Sequence, residues 1–145
     1  MPKFGEVIAE RRLVVRSAPQ KRVVVSLGTP RRRRGETEWE CPFRIRGAGI
    51  TSFEYGYGVD SVQALTTALE GIRAVLDKSG QSLSWEDVLP DETGFQRFIP
   101  ISFGTSFSRR LERLLDREMK RQLQSMRRRQ KGQLAKRRAA ANGKT

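Results

Sequence analysis

Two stretches near the start of the chain have the pattern of β-strands. Residues 7–15 (VIAERRLVV) alternate between apolar and polar and then become apolar, and residues 22–27 form a second, β-branched run that ends at Gly28. Residues 18–20 (APQ) interrupt the pattern between them. Because Pro and Gly mark turns, the pattern predicts two strands joined by a short turn.

A third strand is predicted over residues 38–46. Pro42 would remove a hydrogen-bond donor from this strand, which is tolerated at a sheet edge or at a bulge. Alternation places four apolar side chains on one face, which we expect to be buried: Trp39, Cys41, Phe43 and Ile45.

A fourth strand is predicted over residues 50–57 and carries Phe53, Tyr55 and Tyr57 on one face. Such a row can stack single-stranded bases in RNA-binding sheets, but aromatic residues at this period more often belong to a core. We expect the core here. Gly56 and Gly58 are expected to be turn or bulge glycines, not a phosphate loop.

The strongest local signal predicts a helix over residues 61–79. Asp60 is placed to cap its first turn with Gln63 reaching back, and Gly80 ends it. One apolar stripe on this helix fits the one apolar face of a meander, so the sequence predicts an α+β fold: an antiparallel four-stranded meander with one packed helix, plus a long C-terminal helix with a basic end. The stripe consists of Leu65, Leu69, Ile72 and Leu76.

The C-terminal helix is predicted to start at Thr105, with Thr105 or Ser106 as its cap, after a segment (residues 81–104) without a clear period. It is expected to dock on the domain or to pair with a second copy of the chain as a homodimer. Its partner stripe is Phe107, Leu111, Leu115, Met119, Leu123 and Met126.

These patterns divide the 145 residues into three parts. Residues 1–104 form a compact α+β domain, residues 105–126 an amphipathic helix, and residues 127–145 a basic extension that is either helical or disordered, with fraying expected from about residue 130.

Charge distinguishes the C-terminal part from the rest. The chain has 29 Lys and Arg and 16 Asp and Glu, a net charge of +13. Residues 1–108 hold 15 basic and 13 acidic side chains, a net charge of +2, whereas residues 109–145 hold 14 and 3, a net charge of +11. The domain is therefore close to neutral, and the basicity belongs to the C-terminal part and to one loop, residues 31–34.

The basic side chains of these two segments are the candidate polyanion-binding residues. Arginine pairs with phosphate oxygens in a bidentate way, and counterion release drives the association. The alternative is a tail that only improves solubility. The candidates are Arg127, Arg128, Arg129, Lys131, Lys136, Arg137 and Arg138 in the extension, and Arg31, Arg32, Arg33 and Arg34 in the loop.

Composition argues against most enzyme classes. The chain has no histidine, and Cys41 is its only cysteine, which excludes His-based acid–base catalysis, Cys-His pairs and nearly every zinc site. We expect no enzyme activity, no cofactor and no metal. Without an internal disulfide, a secretion signal or an apolar run of roughly 18 residues, we expect a cytoplasmic protein with no membrane partner.

Four blocks resemble an uncharacterised family of small bacterial proteins known as a domain of unknown function. The resemblance covers about residues 1–103 and implies a compact domain that ends near Phe103, but no activity, cofactor or catalytic residue. The blocks are IAERRLVV (8–15), V-x-L-G-x-P (25–30), WECPFRIRGAG (39–49) and YGVDSVQALTTAL (57–69).

Two functions from different classes remain. The first is a non-enzymatic protein whose basic C-terminal helix and tail bind nucleic acid nonspecifically through phosphates. The second is a protein-interaction module, either a dimer or an inhibitor or immunity-type protein, with an acidic protein partner.

Overall fold

The computed structural model of the chain describes residues 3–86 and 88–143. The chain divides into two compact units between Phe98 and Ile99. The first unit holds an antiparallel sheet and one long helix, and the second holds a short 3-10 turn and a longer helix. The predicted α+β class is confirmed.

Within the described residues, six strands form the sheet of the first unit, and four of them are the predicted meander. The long strands lie in the order β1, β2, β4, β5, with β3 paired to β4 beside β2 and β6 paired to β1. The two short strands, β3 and β6, were not predicted. The strands are β1 (Val7–Val15), β2 (Ala18–Gly28), β3 (Arg31–Arg32), β4 (Trp39–Gly47), β5 (Ile50–Gly58) and β6 (Leu83–Ser84), and helix α1 covers Ser61–Lys78.

Pro42 lies inside β4, which has neighbours on both sides. It is paired with Tyr55 of β5, whereas the pairing with β2 ends at Phe43 and the pairing with β3 begins at Glu40. On the side of β4 away from β5, Pro42 therefore faces the break between β2 and β3, and neither of these two strands pairs with it. This break explains how an inner strand accommodates a residue without a backbone N–H.

Helix α1 begins with the predicted cap. Asp60 Oδ1 accepts a hydrogen bond from the Gln63 backbone N–H at 2.8 Å, and Gln63 Oε1 accepts one from the Val59 N–H at 2.7 Å. The helix ends at Lys78, and Gly80 follows with a φ of +66°. Since both ends are specified locally, the helix could be predicted from sequence alone.

Alanines bring α1 close to β5. A Cβ on Gly56 would meet the backbone of Ala68, and one on Gly58 would meet the backbone of Ala64. The expectation that these glycines form a turn or bulge was therefore wrong: both lie in regular β5 pairing and allow close contact with the helix. The buried row of α1 is Ala64, Ala68, Ile72 and Leu76, while the predicted Leu65 and Leu69 are partly buried at its edge.

The face of β5 that carries the aromatic row points away from α1. Because Gly56 and Gly58 are buried under the helix, alternation puts Phe53, Tyr55 and Tyr57 on the opposite face. Phe53 is 38% exposed and Tyr57 43% exposed. The expectation that this row belongs to the core was wrong.

Side chains from four strands and α1 form the core. The predicted inward face of β4 is confirmed for Cys41, Phe43 and Ile45, which are at most 1% exposed, and Trp39 packs partly buried at its end. The strands β1 and β2 add five more buried residues to this core: Leu13, Val15, Val23, Val25 and Leu27.

The segment after α1 covers the core beside β1. Arg11 of β1 has its Cζ 3.7 Å from the centroid of the Trp85 ring and 4.6 Å from that of Phe95, and it donates a hydrogen bond to the Thr93 carbonyl at 3.3 Å. Burial between the two rings lowers the pKa of Arg11. This segment therefore packs against the core through Trp85 and Phe95, whereas Val88 is exposed.

The second unit is dominated by helix α2 (Thr105–Asn142), which follows a 3-10 turn over Ile101–Phe103. Gly104, with a φ of +88°, precedes the helix, and no side chain caps its first turn, so the expectation of a Thr105 or Ser106 cap was wrong. The helix continues to Asn142 without interruption. It is about 57 Å long at 1.5 Å per residue. Within the described residues, the predicted extension is helical as far as Asn142, and the helix runs through residue 130, near which fraying was expected.

Candidate nucleic-acid interface

Helix α2 carries a continuous positively charged face. Projected at 100° per residue, ten Lys and Arg side chains fall within an arc of about 120°, together with Gln124, Asn142, Ser106 and two alanines but no Asp or Glu. From its first to its last cation, this face is about 43 Å long. We call it the cationic face: Arg109, Arg110, Arg113, Arg117, Lys120, Arg121, Arg127, Arg128, Lys131 and Arg138.

Few cations of the cationic face are neutralised by an acidic side chain of the same helix. Arg121 Nη1 lies 2.8 Å from Glu118 Oε1, and this is the one ion pair of α2 within the described part of the chain. Arg110 lies with its Cζ 5.6 Å from the centroid of the Phe107 ring. All ten cations are exposed. Eight of them have neither an ion pair nor a ring contact among the described residues, so their charges face water.

The predicted C-terminal candidates separate into two groups on the helix. Arg127, Arg128, Lys131 and Arg138 belong to the cationic face, whereas three others lie on the apolar side: Arg129, Lys136 and Arg137. Sequence reasoning also missed the six cations between Arg109 and Arg121, because the nearby acids made that stretch look balanced. Projection of the helix reveals them, since all three acids point elsewhere.

The predicted loop candidates are largely neutralised by carboxylates. Arg31 and Arg32 form β3, and Arg31 Nε donates to Glu40 Oε1 at 2.8 Å. Arg33 Nη1 donates to Glu38 at 2.9 Å and to Glu36 at 2.7 Å. The hydrogen bond to Glu38 raises the pKa of Arg33.

Arg32 and Arg34 are the loop arginines that form no ion pair with a described carboxylate. Arg32 lies with its Cζ 5.9 Å from the centroid of the Trp39 ring, and Arg34 is exposed. The four-residue basic loop thus presents two unpaired cations where the sequence suggested four. Polyanion binding by this loop stays a prediction for those two residues.

Arginines already lie over the exposed aromatic row. Tyr55 and Tyr57 are stacked with their ring centroids 6.1 Å apart. Arg31 and Arg33 lie with their Cζ atoms 5.9 and 5.2 Å from the centroids of Tyr55 and Tyr57. Because the same arginines pair with Glu36, Glu38 and Glu40, the row is held in a local network of low net charge, which argues against base stacking as its role.

The cysteine of the chain lies in the core of the first unit. Cys41 is fully buried, and burial raises its pKa to about 11, so the thiol is protonated at neutral pH. Within residues 3–86 and 88–143, no group of three or more His, Cys, Asp or Glu side chains is placed to hold a metal ion.

The apolar stripe of α2 lies opposite the cationic face. Leu115, Met119, Leu123 and Met126 are 52%, 62%, 53% and 55% exposed, and Phe107 and Leu111 are half-buried. The predicted stripe therefore exists as a surface of one helix. None of the helices in the described residues is long and apolar enough to cross a membrane.

Comparison with known sequences places the first unit in a family. The profile of a domain of unknown function (DUF6968) matches residues 9–97, which is more than half of the chain, and the chain therefore belongs to this family. The resemblance to a domain of unknown function is thus confirmed. The match ends before α2 begins at Thr105. No curated protein and no solved structure matches the chain.

Proposed function

We propose that this member of the DUF6968 family binds nucleic acid nonspecifically through the cationic face of α2. One observation carries the proposal: ten cations share one face of a continuous helix, and no acid lies among them. Each guanidinium or ammonium group that approaches a phosphate releases a condensed counterion, and this release supplies the free energy of binding. The chemistry recognised is the phosphate backbone, which DNA and RNA share.

The arrangement of charged side chains around α2 favours nucleic-acid binding over a role in solubility alone. Solubility requires net charge but no particular arrangement, and charges of both signs mixed over the surface serve it well. On α2 the three acids, Glu112, Asp116 and Glu118, are all outside the cationic face, although random placement would put about one of them in a 120° arc. The resulting surface is positive throughout and extended, so its charge and shape are complementary to a polyanion.

Sequence-specific recognition is not part of the proposal. Arginine reads guanine through bidentate contacts in the major groove, but such contacts need a helix that the rest of its DNA-binding motif holds at a fixed position in the groove. Neither a helix-turn-helix spacing nor a zinc ligand set accompanies the charge in this sequence. We therefore expect affinities that vary little with base sequence and strongly with salt.

Fluorescence anisotropy with a labelled 20-base-pair duplex and a labelled single-stranded RNA tests the proposal. If about eight phosphates of the duplex are neutralised, log K falls with log salt concentration with a slope of about −7. Truncation after Met126 removes four of the ten cations of the face and should reduce the slope to about −4. Absence of binding at low salt, or unchanged affinity after the truncation, would contradict the proposal.

A further inference from the structure

The apolar stripe of α2 is a surface that water solvates poorly. Four consecutive stripe residues, Leu115, Met119, Leu123 and Met126, are each more than half exposed. They recur every three or four residues, so they form one continuous band along more than three turns of the helix. A band of this kind on a helix is the usual contact surface between two helices.

Charges near this band have opposite signs at its two ends. Toward the N-terminus of α2 the flanking charged residues are acids, Glu112, Asp116 and Glu118. Toward the C-terminus they are the three cations outside the cationic face, Arg129, Lys136 and Arg137. Of these residues, Glu118 and Arg129 lie on the same edge of the band. This edge is acidic before Leu123 and basic after it, so it is complementary to itself only when two copies run in opposite directions.

We propose that this band binds the same band of a second copy of the chain, with the two α2 helices antiparallel. In that arrangement Glu118 of each helix lies beside Arg129 of its partner, whereas parallel helices would hold both copies of Glu118 at one end of the contact and both copies of Arg129 at the other. The resulting contact has two-fold symmetry, so every favourable pair occurs twice.

The register follows from matching both the apolar and the charged positions. With the two-fold axis near Leu123, Met119 of one helix faces Met126 of the other, and Leu123 faces its own copy. The same register places Glu118 beside the partner's Arg129, because both residues lie on the same edge of the band. Glu118 then gains a second cation in addition to Arg121 of its own helix.

The pairing leaves the cationic face free, because that face lies on the opposite side of each helix. A pair of chains would therefore present two cationic faces, directed outward. The proposal does not depend on nucleic-acid binding, since the apolar band and its flanking charges contain no residue of the cationic face.

Charge exchange tests the pairing and its orientation. Sedimentation equilibrium of the nuclease-treated full chain in 0.15 M NaCl should show two chains per particle. Glu118→Arg or Arg129→Glu alone brings two like charges together at each of the two symmetry-related contacts. Either variant should raise the dissociation constant of the pair of chains about tenfold. The double variant Glu118→Arg with Arg129→Glu should restore the original value. Glu118→Gln, which removes the ion pair with Arg121 without adding repulsion, is the control and should weaken pairing less.

Oxidative crosslinking gives an independent test of the register. Met119→Cys in a tagged chain, mixed with Met126→Cys in an untagged chain, should give a mixed disulfide dimer, and neither variant alone should crosslink because the copies of either residue lie roughly 9–12 Å apart along the helices. A chain that sediments as a monomer at all concentrations would overturn the proposal. So would a double charge variant no better than the single ones, or crosslinking of each variant with itself.

Discussion

Arg31 Nε donates a hydrogen bond to Glu40 Oε1 at 2.8 Å, across the pairing of β3 with β4. Glu40 is only 16% exposed, so its charge would be poorly solvated without a cation beside it. The basic loop that the sequence suggested as part of a binding site is therefore, at Arg31, part of what holds a sheet edge together.

Replacement of Arg31 should accordingly affect stability more than binding. We expect Arg31→Gln to lower the free energy of unfolding by about 1 kcal/mol, because Glu40 then keeps only the longer contact to Arg33 at 3.8 Å. Nucleic-acid affinity should change less than twofold. Urea unfolding and anisotropy measure the two effects, and Arg34→Gln, which removes an exposed and unpaired cation, is the control for charge. A large loss of affinity with unchanged stability would place the loop in the binding surface after all.

The close contact between α1 and β5 depends on the absence of two side chains. Gly56→Ala should lower the free energy of unfolding by roughly 2–4 kcal/mol, because the new methyl group would meet the backbone of Ala68, which cannot move aside as a flexible side chain can. Ser52→Ala on the same strand is the control: its hydroxyl donates a hydrogen bond to the exposed Glu54 carboxylate at 2.9 Å, and the change should stay within about 0.5 kcal/mol. Equal stabilities of the two variants would contradict this packing.

Burial of Cys41 makes stability depend on pH in the alkaline range. The thiol has a pKa of about 11 in the folded chain, compared with an ordinary value of 9.0. Between these two values the unfolded chain loses the proton while the folded chain keeps it, so the contribution is fully present below about pH 9 and is lost as pH rises toward 11. The loss is roughly 1–3 kcal/mol.

Denaturant unfolding at pH 8 and pH 10.5 measures this contribution. Cys41→Ala starts from lower stability because it leaves a cavity, but it lacks the titrating group, so its stability should fall less between the two pH values than that of the parent chain. Parallel pH dependences of the two proteins would show that the thiol titrates normally in the folded state.

Much of the first unit could be predicted because its signals are local. The cap of α1 at Asp60 and Gln63, the glycine after it and the alternation of β4 each depend on residues close together in the chain. The aromatic row of β5 could not be assigned by the same reasoning. Alternation along β5 indicates that Phe53 and Tyr57 share a face, but it does not indicate which face is buried. The buried face is the one with Gly56 and Gly58, because the alanines of α1 pack on these glycines.

The candidate nucleic-acid interface could likewise be predicted from the sequence only in part. The sequence indicated that charge concentrates near the C-terminus, and it named the stripe that begins at Phe107. The sequence did not show that Arg128 and Arg129 lie on different faces. Adjacent residues of a helix point about 100° apart, but the sequence left open whether the helix continues through these two residues. Similarly, Arg31 and Arg33 are neutralised by carboxylates that the pairing of β3 with β4 brings close to them. This pairing could not be predicted because β3 has only two residues and therefore no recognisable strand pattern in the sequence.

One comparison tests most directly the claim that the cationic face, and not net charge, binds nucleic acid. The double variant Arg128→Gln with Arg138→Gln removes two cations from the face, and Arg129→Gln with Arg137→Gln removes two neighbours from outside it. Net charge and composition are then identical. Anisotropy titrations over a series of salt concentrations compare them, at protein concentrations where sedimentation shows single chains.

The face variant should bind the duplex about tenfold more weakly at 0.1 M salt, with a salt slope shallower by about 2, because two phosphate contacts are lost. The other variant should retain the parent's slope and affinity within about twofold. Equal losses in the two variants would contradict the account, since they would mean that only the total charge of the segment matters.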